Sequence, residues 1–115
     1  MKRCLVVAIF LVAVPLLSAQ TPTKLLTDDG NTFLAQCAQN GEASAPGFCT
    51  MYVGGVIDGA QISDKPAFCL PENVSYGQMV RVSIKYMQEH PESLQHPTAA
   101  LVITAHAKAF PCTSR

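Results

Sequence analysis

The chain has 115 residues, 49% of them hydrophobic, and its eight Lys or Arg balance eight Asp or Glu for a net charge of zero. That length suits one compact domain, and the lack of any basic run argues against nucleic acid or an anionic membrane surface as partner. Five cysteines in so short a chain direct attention to crosslinks.

The N-terminus opens on two cations, Lys2 and Arg3, and then runs from Cys4 to Leu17 without a charge before Ser18-Ala19-Gln20. A charged start, an apolar run and a small-residue cleavage site together read as a signal peptide over residues 1–19. Fourteen uncharged residues fall short of the ~20 needed to cross a bilayer, so the run does not read as an anchor. Pro15 suits a helix that must break before the peptidase site. Gln20, not a cysteine, follows the cut, which argues against lipid attachment. Cleavage after Ala19 removes Cys4 and leaves a single domain over 20–115, with six Lys or Arg against eight Asp or Glu. No second apolar run of spanning length follows, so no membrane contact is expected after cleavage.

Residues 20–27 are polar, contain Pro22 and show no period, as in a loose tail. From Asp28 and Asp29, cap residues precede Phe33, Leu34, Cys37 and Ala38 at helical spacing, which predicts a first short helix over 30–39. Asn40-Gly41 ends it, and the segment to Gly47 is turn-rich. Phe48 to Ser63 is the most apolar stretch, with Phe48, Tyr52, Val56 and Ala60 four apart and Val53 and Ile57 alongside. It is expected to be the central, most buried helix. Gly54, Gly55 and Gly59 lie inside it, each costing ~1 kcal/mol against alanine. Absent side chains there fit either a close helix crossing within the monomer or a dimer face.

A polar link through Asp64, Lys65 and Pro66 leads to Cys69 and Pro71. Ser75 and Gln78 then match a capping box that opens a third helix. Val80, Ile84 and Met87 form its apolar stripe, widened by Met79, Val82 and Tyr86, with Arg81, Lys85 and Glu89 on the wetter side. Pro91 ends it, because a residue before proline is pushed out of the helical region. After a polar connection to His96, Pro97 suits the start of a fourth helix over 98–110, with Leu101, Val102, Ala105 and Ala109 as its apolar face. Lys108 sits near the negative end of its dipole, and Pro111 ends it. The pattern predicts an all-α bundle of four short helices.

Four cysteines survive cleavage, Cys37, Cys49, Cys69 and Cys112, and an even count in a short exported chain reads as two disulfides. No Cys-x-x-Cys or paired Cys/His spacing favours a metal instead. Spacing alone leaves three pairings open, but the helices choose between them. A short turn between antiparallel first and second helices brings Cys37 to Cys49, and an antiparallel hairpin of the third and fourth brings Cys69 to Cys112. In the chain-entropy model these crosslinks contribute roughly 3 and 4 kcal/mol, large beside what so small a core supplies alone.

Catalytic chemistry finds little support. His90, His96 and His106 never show the spacing that puts two imidazoles on one helix face, and solvated loop or helix-end positions are expected for them. Ser44, Ser63, Ser75, Ser83 and Ser93 include no nucleophile-elbow turn. Asp58, the one carboxylate in the second helix, is expected to face solvent or a neighbouring helix. No catalytic residue, metal ligand or cofactor-binding residue is expected, and no phosphate-binding loop occurs. The protein reads as a binder.

The stretches Asp29-Gly30-Asn31-Thr32-Phe33-Leu34 to Cys37, Phe48-Cys49, and Tyr52-Val53-Gly54-Gly55-Val56-Ile57-Asp58 resemble the Rap/Tai immunity-protein family of type VI secretion systems. So do Cys69-Leu70-Pro71-Glu72-Asn73-Val74-Ser75, Lys85-Tyr86, His90-Pro91-Glu92 and Ala109-Phe110-Pro111-Cys112. The resemblance covers nearly the whole mature chain. It implies a periplasmic, non-enzymatic helical homodimer that inhibits a peptidoglycan amidase toxin by plugging its active-site cleft. The exposed connection Glu92, Ser93, Leu94, Gln95 and His96 is the expected contact with that partner. Other classes with the same leader and staples are a general periplasmic binding protein or acid-stress chaperone, and a carrier enclosing a small apolar molecule.

Overall fold

A computed structural model describes residues 29–39 and 46–113. The expected signal peptide over 1–19, Cys4, the tail over 20–27 and most of the turn after Asn40 lie outside the described residues. Among the described residues four α-helices follow one another: α1 (Gly30–Cys37), α2 (Gly47–Gln61), α3 (Tyr76–Glu89) and α4 (Thr98–Ala109), with a 3-10 turn at Pro91–Ser93 between the last two. Among the described residues no strand occurs, and no helix is long and apolar enough to cross a membrane.

Local chemistry explains the helix limits. The Asp29 carboxylate accepts from the Thr32 amide at 2.8 Å and from the Thr32 hydroxyl at 2.9 Å, capping α1. Ser75 caps α3 in the same way, its hydroxyl accepting from the Gln78 amide at 3.2 Å. Both α3 and α4 stop where a proline follows. His90 (φ −127°, ψ 62°) and Phe110 (φ −132°, ψ 61°) have left the helical region ahead of Pro91 and Pro111.

Helix α3, not α2, holds the centre, for it packs against α1, α2 and α4. Its Met79, Val80, Ser83 and Met87 are buried. Ser83 is tolerated there because its hydroxyl donates to the Met79 carbonyl at 3.1 Å. Helix α2 buries one face only, through Cys49, Val53, Gly54 and Ile57. Phe48, expected in its apolar stripe, is 52% exposed. The reason is geometric: the buried row runs 49, 53, 57, so position 48 is turned about 100° away from it.

The core adds Phe33, Phe68, Leu101, Val102 and Ala105. Phe68 lies in the link expected to be polar, yet it is fully buried, and burying a phenylalanine is worth roughly 2–3 kcal/mol. Its backbone is tied on both sides. The Gln61 side-chain amide donates to the Phe68 carbonyl at 3.2 Å, and the Cys69 amide donates to the Phe110 carbonyl at 2.8 Å. Two disulfides, Cys37–Cys49 and Cys69–Cys112, complete the bundle. The first lies in the core and the second at the surface.

Candidate functional site

The connection from α3 to α4 is built as a chain of short turns. The Ser93 amide donates to the His90 carbonyl (3.0 Å), Leu94 to Pro91 (3.4 Å), and His96 to Ser93 (3.0 Å). These bonds satisfy the backbone locally and leave side chains to point outward. Glu92, Gln95 and His96 are exposed, whereas Ser93 and Leu94 are half-buried. The five expected contact residues thus divide into an outward set and an anchoring set.

Leu94 is the anchor. The Gly30 amide, first in α1, donates to the Leu94 carbonyl at 2.9 Å, using a helix-start donor that has no partner within its own helix. A Cβ on Gly30 would lie 2.6 Å from Leu101 Cδ1, 3.0 Å from Leu94 Cδ2 and 3.2 Å from the Leu94 oxygen. Only glycine permits that approach. Sequence reading missed this clamp, although a glycine directly behind a capping aspartate is the signal that could have pointed to it.

The entry to the connection is also held. His90 Nδ1 donates to the Tyr86 carbonyl at 2.8 Å, which fixes the tautomer, and its ring stacks on Tyr86 with centroids 4.2 Å apart. The Lys108 ammonium of α4 lies 5.1 Å from the centre of the Tyr86 ring, a cation–π contact that links α3 to α4. Lys85 and Glu89 pair along α3, and hydrogen bonding from Lys85 lowers the Glu89 carboxyl below its usual range.

A second surface lies on α2. Thr50, Met51, Gly54, Gly55, Asp58 and Tyr76 line an open groove, and Phe48 and Ile62 of the same segment are 52% and 85% exposed. The three glycines differ in surroundings. A Cβ on Gly54 would meet Tyr76 Cε1 at 2.9 Å, while no described residue comes within 4 Å of a Cβ on Gly55 or Gly59. Asp58 is exposed.

Among the described residues, the histidines do not assemble with a nucleophile. His96 is exposed, and His90 bonds a backbone carbonyl. His106, for which a solvated position was expected, is fully buried. Its Nδ1 donates back to the Val102 carbonyl at 2.8 Å, and the rings of Phe68 and Phe110 stand 5.5 and 5.9 Å away. The four-residue back-bond and the aromatic surroundings make the interior acceptable to a neutral imidazole. Among the described residues, no group of three or more His, Cys, Asp or Glu is placed to hold a metal ion.

No curated protein and no solved structure matches the chain. A family description, Rap1a immunity proteins, matches residues 29–112. That match begins at the α1 cap, ends at the last disulfide cysteine and takes in every helix, both crosslinks and the clamped connection, so the chain belongs to the Rap1a immunity protein family.

Proposed function

We propose that this protein is a periplasmic immunity protein that binds a peptidoglycan amidase delivered by a type VI secretion system and blocks its active-site cleft, without catalysis of its own. Family membership supports a protein effector as partner. The mode of action rests on the Gly30–Leu94 clamp. Because Glu92, Gln95 and His96 project from a backbone already fixed, docking them into a cleft orders little new chain, and less of the interaction energy is lost to entropy. Export by the leader over 1–19 puts the protein where such a toxin acts and where disulfides persist.

The α2 surface supports a second role, pairing of two copies. The outward row Phe48, Met51, Gly55, Gly59, Ile62 reads symmetrically about Gly55. If two α2 helices cross antiparallel there, each Met51 meets the partner's gap at Gly59, and each Phe48 meets the partner's Ile62. Such an arrangement is the self-complementary patch that a twofold dimer needs.

The test is coexpression in the periplasm with candidate type VI peptidoglycan amidases. Protection from lysis that is lost in a Glu92→Ala/Gln95→Ala/His96→Ala variant supports the proposal. Lysis at the unprotected rate refutes it. Suppression of aggregation of several unfolded clients, with no amidase inhibition, would instead favour a chaperone.

A further inference from the structure

The imidazole of His106 is the most deeply buried titratable ring of the described chain. It is fully enclosed, Phe68 and Phe110 flank it, and no described residue offers its Nε2 a hydrogen-bond partner. With Nδ1 donating to Val102, Nε2 must be the bare, unprotonated nitrogen. A proton added there would create a cation among aromatic rings with no acceptor for its new N–H, an arrangement strongly disfavoured in an apolar interior.

Among the described residues, none acts on the ring as a counter-charge. Asp58 of α2, Asp64 and Lys65 of the link, Arg81, Lys85 and Glu89 of α3, and Lys108 of α4 are all exposed. The half-buried Tyr52, Tyr86 and His90 supply no negative charge. Burial accordingly holds the His106 ring below the usual imidazole range, against a smaller opposing effect of the Val102 carbonyl.

We infer that His106 is an acid-sensitive latch: its neutral ring holds Phe68 in the core and with it the largely exposed 62–75 link against the bundle, and protonation releases both. Two bonds shape the opening. The Cys69 amide donates to the Phe110 carbonyl, so departure of Phe68 exposes a specific amide to solvent. The Cys69–Cys112 disulfide then tethers the freed link, so that neutralisation closes the latch again. Thr98, where the partner-facing connection joins α4, is eight residues away, about 12 Å along the helix. The opening is expected to leave the Gly30–Leu94 bond in place.

The experiment is hydrogen exchange followed by NMR on the oxidised mature protein from pH 7 to 5, with imidazole nitrogens observed in parallel. A proton taken up by the open state alone raises its population up to about tenfold per pH unit below the ordinary imidazole range. The Cys69 amide should follow that rise after correction for intrinsic exchange, while the Ala38 amide of α1 stays nearly constant. A His90→Gln/His96→Gln variant should keep the rise, and His106→Leu should abolish it. A flat Cys69 profile in the wild type overturns the latch. So does ordinary titration of His106 with protection unchanged, or an equal rise at Cys69 and Ala38. The wild-type measurements decide the matter even if His106→Leu fails to fold.

Discussion

The amide of Gly30 and the carbonyl of Leu94 meet at 2.9 Å, joining the first residue of α1 to the middle of the connection between α3 and α4. Through that one bond a helix start stiffens a surface turn, and the surface turn presents Glu92, Gln95 and His96. Replacing Gly30 by alanine tests the relationship. The new Cβ would press on two leucine side chains, which can shift, and on the Leu94 carbonyl at 3.2 Å, which moves only with the turn itself. Overpacking of this kind costs ~1–3 kcal/mol. A lower urea midpoint and faster exchange of the residue 30 amide are expected.

The two disulfides should differ in a way loop length alone does not predict. Closing the 43-residue separation constrains the unfolded chain more than closing the 12-residue one, by about 1 kcal/mol. Cys37 and Cys49, however, are buried at 3% and 0% exposure, whereas Cys69 and Cys112 are exposed. Serine pairs at 37 and 49 would bury two hydroxyls at ~1–3 kcal/mol each where unpartnered. The burial effect wins, so the Cys37→Ser/Cys49→Ser variant should melt lower than Cys69→Ser/Cys112→Ser in calorimetry.

Glycines on α2 should respond with opposite signs in two assays. Gly55 has open space where a Cβ would go, so Gly55→Ala should stabilise the monomer by roughly 0.5–1 kcal/mol. The same methyl would separate two α2 helices crossing at that point. Chemical denaturation at low concentration should show the gain, and sedimentation at high concentration the weaker association. Gly54→Ala should gain less, because its Cβ meets the Tyr76 ring at 2.9 Å and the half-exposed ring must swing aside.

Acid stability follows from His106. Its folded pKa is lowered by burial, so the unfolded chain, with an imidazole near pKa 6.5, takes up the proton first. The contribution of the neutral ring is therefore complete above that value and is lost as pH falls below it, until the folded ring titrates as well. The thermal midpoint of the wild type should drop between pH 7 and pH 5 more than that of His106→Leu, measured by circular dichroism.

Much of the fold was legible because its signals are local. Asp29 and Ser75 act as caps through their own neighbours, Pro91 and Pro111 stop helices whatever surrounds them, and helix ends brought the four cysteines into the observed pairs. Phe68 and His106 were not legible, since their burial depends on which neighbouring element covers them, and Phe48 was misplaced because the buried row of α2 runs through Cys49, Val53 and Ile57, not through position 48. Phe68 sits in a polar stretch, and only the docking of that stretch on α4 draws it inward. Helix α2 looked central because it is the most apolar, but no described residue covers Gly55 and Gly59 on its outer face, and α3 took the middle. The connection from Glu92 to His96 could be marked as polar and bounded by prolines. That Leu94 turns inward required knowing that Gly30 lies beneath it.

The most direct test of the proposed function is inhibition of type VI peptidoglycan amidase effectors by the purified, oxidised protein, with peptidoglycan cleavage as the readout. Activity of the cognate amidase should fall to zero at one binding equivalent of the wild type and persist in the presence of the Glu92→Ala/Gln95→Ala/His96→Ala variant. Full peptidoglycan cleavage in the presence of a saturating excess of folded protein would contradict the proposed function.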